Sequence, residues 1–125
     1  MVKDYHIHTV VSDGSMRPAE IFTHAARLGV TELSLTDHDA VGAYRHFVDV
    51  GAQARDLGLT LIPGVELDSS WRGDEIHILG YHIDPAHPEL AGYLAGVQEA
   101  RRERLRVVVR EVQRRQSEQN ARELP

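Results

Sequence analysis

The stretch "DYHIHT", residues 4–9, sets His6 and His8 two residues apart behind Asp4. In a β-strand, side chains alternate faces, so Asp4, His6 and His8 share one side while Tyr5 and Ile7 turn toward apolar packing. Two imidazoles side by side at a strand end are a common beginning for a metal site. Other donors follow along the chain: Asp13 in "SDG", His38 inside "TDHD", Glu66 in "GVEL" and His77 at the head of "HILG". The chain has no cysteine, which removes thiolate zinc sites, disulfides and cysteine nucleophiles. Any metal must be held by histidine and carboxylate, a donor set that suits zinc, manganese or iron. Each residue taken singly is equally a solvated strand end. Their joint placement favours the metal site.

The elements that must position these donors can be read from periodicity and turn residues. A first strand covers 2–8, followed by the loop "TVVSDGSMR". Pro18 suits the first turn of a helix, with Ile21, Ala25 and Leu28 on one face and Gly29 as the stop. "TELSLTDHD" is a short strand running into a polar loop, and residues 41–57 are expected to be helical, with Tyr44, Val48, Ala52 and Leu57 on one side and Gly58 ending the helix. "LTLIPGVEL" is a buried strand, "SSWRGDE" a loop and "IHILGYHI" another strand. "DPAHPEL" turns the chain into a long helix from about Ala91 to about Gln116. This order predicts an α/β layer or barrel. In such sheets, sites form at the carboxyl ends of parallel strands, where His6, His8, Asp13, His38, Glu66 and His77 are expected to meet.

The remaining histidines read as bystanders. His24 and His46 lie inside expected helices, His87 in a Pro-flanked turn, and His82 faces away from His77 on a regular strand. Asp37 and Asp39 stay open between orienting His38 and capping the next helix. On the long helix, Leu94, Val97, Leu105, Val108 and Val112 draw an apolar stripe, into which Arg101 falls, with Arg104 on nearly the same face. An inward arginine pairs with an acid, snorkels out, or grips a phosphate in bidentate fashion.

The totals describe one soluble domain: 125 residues, 42% apolar and 26% charged. No apolar run approaches the roughly 20 residues of a membrane span, and no signal segment opens the chain, so the cytoplasm is the expected location. The net charge of −5 conceals an asymmetry, −8 over residues 1–97 and +3 over 98–125. An acidic body suits carboxylates gathered around metals, and most of the basic charges suit a solvated helix face.

Together, "DYHIHTVVSDG", "SLTDHDAVGA", "IPGVEL" and "IHILGYHID" resemble the polymerase-and-histidinol-phosphatase (PHP) family of metal-dependent phosphoesterases. Four motifs in family order make the resemblance specific, over about residues 3–112. It is nearest in flavour to the stand-alone nucleotide phosphatases and small-RNA-trimming enzymes. The resemblance implies the N-terminal part of a distorted (β/α) TIM-like barrel with two or three divalent metal ions at its mouth. It carries His6, His8, Asp13, His38, Glu66 and His77 over as ligands, with Asp13 and His38 closest to a catalytic role. It also implies hydrolysis of phosphomonoesters of nucleotides or short oligonucleotides by a metal-activated water. Arg101 and Arg104 are the candidate substrate-phosphate contacts. The rivals are a 3′–5′ exonuclease-type module and a non-catalytic metal-binding or assembly module.

The sequence departs from the family pattern at its end. Family members continue well past this length, and their second half supplies another metal-binding histidine and a late Asp-x-His pair. No histidine follows His87 here. The expectation is therefore a PHP portion over 1–112 and a polar tail over 113–125, either disordered or marking a truncation. A front part of this kind would have open barrel edges prone to self-association and little activity alone.

Overall fold

The structure is a computed structural model that describes residues 1–123. Two compact units are present, Met1–Ala91 and the segment from Gly92 onward. The first unit begins with three parallel strands in the order β1 (Val2–Ile7), β2 (Val30–Leu35) and β3 (Thr60–Leu61). Parallel neighbours need a crossover, and helices supply both: α1 (Pro18–Arg27) between β1 and β2, then α2 (Gly42–Arg45) and α3 (Val50–Asp56) before β3.

The core forms where the helices cover this sheet. Ile21, Phe22 and Ala25 of α1 pack with Leu33 and Leu35 of β2, Ala43 of α2, Val50 and Ala54 of α3, and Leu59. Pro18 opens α1, and the Glu20 carboxylate accepts the Arg17 N–H at 2.8 Å, satisfying an otherwise orphan donor. Leu28, expected on the buried stripe, is 65% exposed because the helix has already ended at Arg27.

Three expectations about the elements are corrected. The single helix over 41–57 is two short helices, since the chain turns between Arg45 and Val50. Asp49 takes a left-handed conformation there, and its side chain accepts the Ala52 N–H at 3.1 Å as the cap of α3. Val48 consequently points to solvent. The strand "LTLIPGVEL" is likewise broken: β3 stops at Leu61, and β4 (Gly64–Trp71) begins after Pro63, which has no N–H to continue a ladder. Finally, "SSWRGDE" is no loop. Its "SSW" ends β4, which pairs antiparallel with β5 (Asp74–Tyr81), and its "DE" begins β5. Arg72 and Gly73, both at positive φ, make the two-residue turn, the pattern that matches the twist of a hairpin.

The hairpin is stitched to the parallel sheet through the segment after β2. Asp39 N–H donates to Glu66 O at 2.8 Å, and Glu66 N–H donates to Asp37 O at 3.1 Å. The Tyr44 hydroxyl adds a clamp, accepting from the N–H groups of Leu35 (3.1 Å) and Gly64 (3.0 Å). Gly64 is fixed as glycine by this closeness, because a Cβ there would lie 2.3 Å from Ser34 Oγ.

The long helix α4 runs Pro88–Glu123, so it continues past its expected end near Gln116; the last two residues of the expected tail lie outside the described residues. In the second unit its surface carries a ladder of ion pairs. Glu99 meets Arg102 and Arg106, and Glu111 meets Arg114 and Arg115, mostly at helical i,i+3 and i,i+4 spacing. Of the stripe residues, Leu94 is buried, whereas Leu105, Val108 and Val112 are about half exposed.

Candidate metal centre

His6 lies on β1 and His8 just past its end, and the strand's alternation brings both rings to one side with centroids 5.1 Å apart. Both point at one carboxylate. Glu66 Oε2 is 2.9 Å from His6 Nε2 and 2.6 Å from His8 Nε2. The other oxygen, Oε1, is 2.8 Å from His77 Nδ1. Glu66 itself is buried, at 2% exposure. A buried carboxylate must be paired or hydrogen-bonded, and this one is met by three imidazoles.

The hairpin explains how Glu66 and His77 come together. Directly opposed residues of an antiparallel pair project to the same face. Asp68 is opposite His77, and Glu66 is two residues before Asp68, so all three share one side. His38 approaches from the segment after β2, its Nδ1 2.7 Å from Asp68 Oδ1. Asp13 closes the set from the β1–α1 loop. Its Oδ1 lies 2.7 Å from His8 Nδ1 and its Oδ2 3.4 Å from His38 Nε2.

Three donor groups result, with donor atoms in each within 4.8 Å of one another: His38, Glu66, Asp68 and His77; His6, His8 and Glu66; and His8, Asp13 and His38. All six donors expected from the sequence belong to one or another of these groups. Arg101 and Arg104 lie on α4 in the second unit. Asp4 stays outside as well, accepting the His6 N–H. His24, His46, His82 and His87 are exposed, and His82 follows β5 at positive φ.

Asp68 is the donor that the sequence reading missed. It stands two residues beyond Glu66 and therefore on the same face, a signal hidden while "SSW" was read as loop. Asp37 and Asp39, left open from sequence, have separate tasks. Asp37 is buried and meets the first loop, where Thr9 N–H (2.7 Å), Thr9 Oγ1 (2.8 Å) and Ser12 Oγ (2.6 Å) donate to it. Asp39 accepts the Asp68 N–H at 3.2 Å. The loop also depends on Gly14, where a Cβ would lie 2.4 Å from the His8 carbonyl oxygen.

The electrostatics follow from this crowding. Burial pushes Glu66 toward its neutral form, but the hydrogen bonds from His6, His8 and His77 outweigh it and hold the carboxyl down at about 2. Asp13 is also lowered: partial desolvation opposes the shift, and the His8 hydrogen bond with the nearby His38 overcomes it. His38 is raised despite its own desolvation, through Asp68 and the carboxylates of Glu66 and Asp13. His77 is raised by hydrogen bonds to Glu75 and then Glu66. Carboxylates kept ionised beside several imidazoles are the donor chemistry a divalent first-row cation requires, so the residues present fit such an ion.

The PHP domain model matches residues 4–119, and the chain belongs to this family. It is 40% identical over 103 residues to a 3′,5′-nucleoside bisphosphate phosphatase of Chromobacterium violaceum, covering 82% of this chain and 35% of that protein. It is 37% identical over 117 residues to the 5′-3′ exoribonuclease Rnm of Salmonella typhimurium, covering 91% and 39%. A solved structure from Bifidobacterium adolescentis, provisionally named a metal-dependent phosphoesterase, matches at TM-score 0.79 and 26% identity, covering 90% of this chain and 38% of that one. The chain thus spans little more than a third of the length of these relatives. The mixed α/β arrangement is that of a partial TIM-like PHP barrel.

Proposed function

We propose that this chain carries the metal-binding part of a phosphoesterase that hydrolyses phosphomonoesters of nucleotides or short oligonucleotides. The observation that carries the reading is the convergence of His6, His8, Asp13, His38, Glu66 and His77, with Asp68, into donor groups that share residues. Two or three divalent cations, of manganese, zinc or iron, are the proposed occupants. Such ions neutralise phosphate oxygens and acidify water for in-line attack on phosphorus. The chain's own residues supply the rest. Glu66, ionised and buried, aligns three imidazoles from two directions. Asp13, exposed beside His8 and His38, is proposed to accept a proton or to hold water there. Arg101 and Arg104 are proposed to grip substrate phosphate, as planar guanidinium groups do.

The names of the relatives support the substrate class, a nucleoside bisphosphate in one case and RNA in the other. Phosphorylated substrates and a cytoplasmic setting belong to the same proposal; among the described residues no helix is long and apolar enough to cross a membrane. The exoribonuclease relative favours a second reading, removal of nucleotides from an oligonucleotide end, in the 5′-3′ direction that its name prints.

One assay separates the readings. Manganese-loaded protein is given a nucleoside 3′,5′-bisphosphate and, separately, a short oligoribonucleotide. Release of inorganic phosphate from the first supports the phosphatase. Mononucleotide release from the second alone would favour the nuclease. Metal binding with no turnover on either substrate, by this chain and by a longer chain matching its relatives' length alike, would leave a binding module and overturn the enzymatic reading.

A further inference from the structure

The His38 ring stands between two donor groups. Its Nδ1 is 2.7 Å from Asp68 Oδ1. Its Nε2 is 3.4 Å from Asp13 Oδ2, and its ring centroid is 4.3 Å from that of His8. His38 is accordingly a member both of the group with Glu66, Asp68 and His77 and of the group with His8 and Asp13. A neutral imidazole has one N–H and one lone pair, so as a ligand it serves one group at a time. Which nitrogen keeps the proton is decided by the hydrogen bond the other groups offer it. An ionised carboxylate only accepts, so a nitrogen at hydrogen-bond distance from Asp68 must be the one that carries hydrogen.

We propose that Asp68 is a positioning residue that holds His38 in the Nδ1–H form and thereby assigns its Nε2 lone pair to the group of His8 and Asp13. Asp68 is well braced for this. It is paired in the hairpin opposite His77, and its own N–H donates to Asp39. The preference works against the intrinsic one, since a free histidine side chain in water favours the Nε2–H form. The group beside the hairpin is left with Glu66 and His77, with Asp68 committed to His38. The consequence for ion binding rests on the metal reading above, whereas the tautomer does not.

The test is long-range 15N–1H correlation NMR on the metal-free protein, at alkaline pH where the His38 ring is neutral. The wild-type protein is expected to show the Nδ1–H pattern at His38, and Asp68→Ala the Nε2–H pattern. An Nε2–H pattern in the wild type, or the same pattern in both, overturns the assignment. The wild-type spectrum suffices for this even if the variant fails to fold. Zinc titration by calorimetry then tests the consequence: Asp68→Ala should weaken binding about 10- to 100-fold, the usual effect of losing a carboxylate behind a ligand histidine. Unchanged affinity would overturn that consequence. No zinc binding by the wild type would refute the metal reading, with the tautomer still deciding the role of Asp68.

Discussion

Asp37 holds Thr9 at two points: one carboxylate oxygen accepts the Thr9 N–H at 2.7 Å and the other accepts its hydroxyl at 2.8 Å. Thr9 follows His8 directly, so this pair joins the end of β1 to the segment after β2 at the edge of the donor cluster. Both residues are fully buried or nearly so. Asp37→Ala leaves buried donors without an acceptor and should cost about 2–4 kcal/mol of stability. Urea unfolding measures it. A change below about 0.5 kcal/mol would mean that the loop holds itself.

Removal of a donor should act on bound metal before it acts on anything else. His8→Ala and Glu66→Ala each take a residue from two of the three donor groups. Elemental analysis after dialysis should find much less manganese or zinc in both than in the exposed control His46→Ala. Equal contents in the three variants would count against the site.

The pH dependence has a definite sign. His38 and His77 are raised in the folded, metal-free protein, so they stabilise it fully below about 6.5, the unfolded value, and that contribution fades as pH rises through their folded values. Glu66 behaves oppositely. Its contribution is present above the unfolded value near 4.5 and is lost as pH falls toward about 2. Metal-free protein should therefore lose stability as pH rises from about 6.5 through the folded values of His38 and His77. Over the same window, metal affinity should climb in the groups that include His38 or His77, because an ion there must displace their protons. Calorimetry in buffers of different ionisation enthalpy counts those protons; zero release near pH 6.5 would contradict the assignment.

Gly14→Ala should be poorly tolerated, because the new methyl meets the His8 carbonyl oxygen at 2.4 Å. The backbone has to shift, at a cost of about 1–3 kcal/mol, and the shift moves His8 and Asp13 apart. Thermal unfolding, with metal content measured alongside, checks this. A variant with wild-type melting would show that the loop relaxes freely.

Substitution of Arg101 tests the substrate proposal. If its guanidinium grips phosphate, Arg101→Ala should lower kcat/KM by one to two decades, about 1.5–3 kcal/mol, with metal content unchanged. Unchanged kinetics would return Arg101 to a structural role.

Much of the site was visible in the sequence because strand periodicity is local. "HIH" forces His6 and His8 to one side whatever the rest of the chain does. The parallel β1–β2 unit was visible for the same reason, with Gly29 marking the end of α1. The missing pieces were those that tertiary pairing decides. "SSWRGDE" is polar and rich in turn formers, so it reads as loop, yet the partner strand recruits it into a ladder and exposes Asp68 on the face of Glu66. In "TDHD", spacing alone does not say what either aspartate meets. The answer depends on β1 lying beside β2, which turns Asp37 toward Thr9. The break at Asp49 was equally hidden, since Val48 and Leu57 preserve a helical rhythm in letters that the backbone does not follow.

Glu66 belongs to two of the three donor groups, with Oε2 turned to His6 and His8 and Oε1 to His77. One carboxylate cannot reorient for an ion on one side without altering what it offers on the other. Ions bound in those two groups would be thermodynamically linked, each changing the other's affinity by the same factor whichever enters first. A titration followed ion by ion would show steps that depend on one another rather than two independent isotherms. Glu66→Gln, which weakens both faces of the shared group at once, would lower the two affinities together.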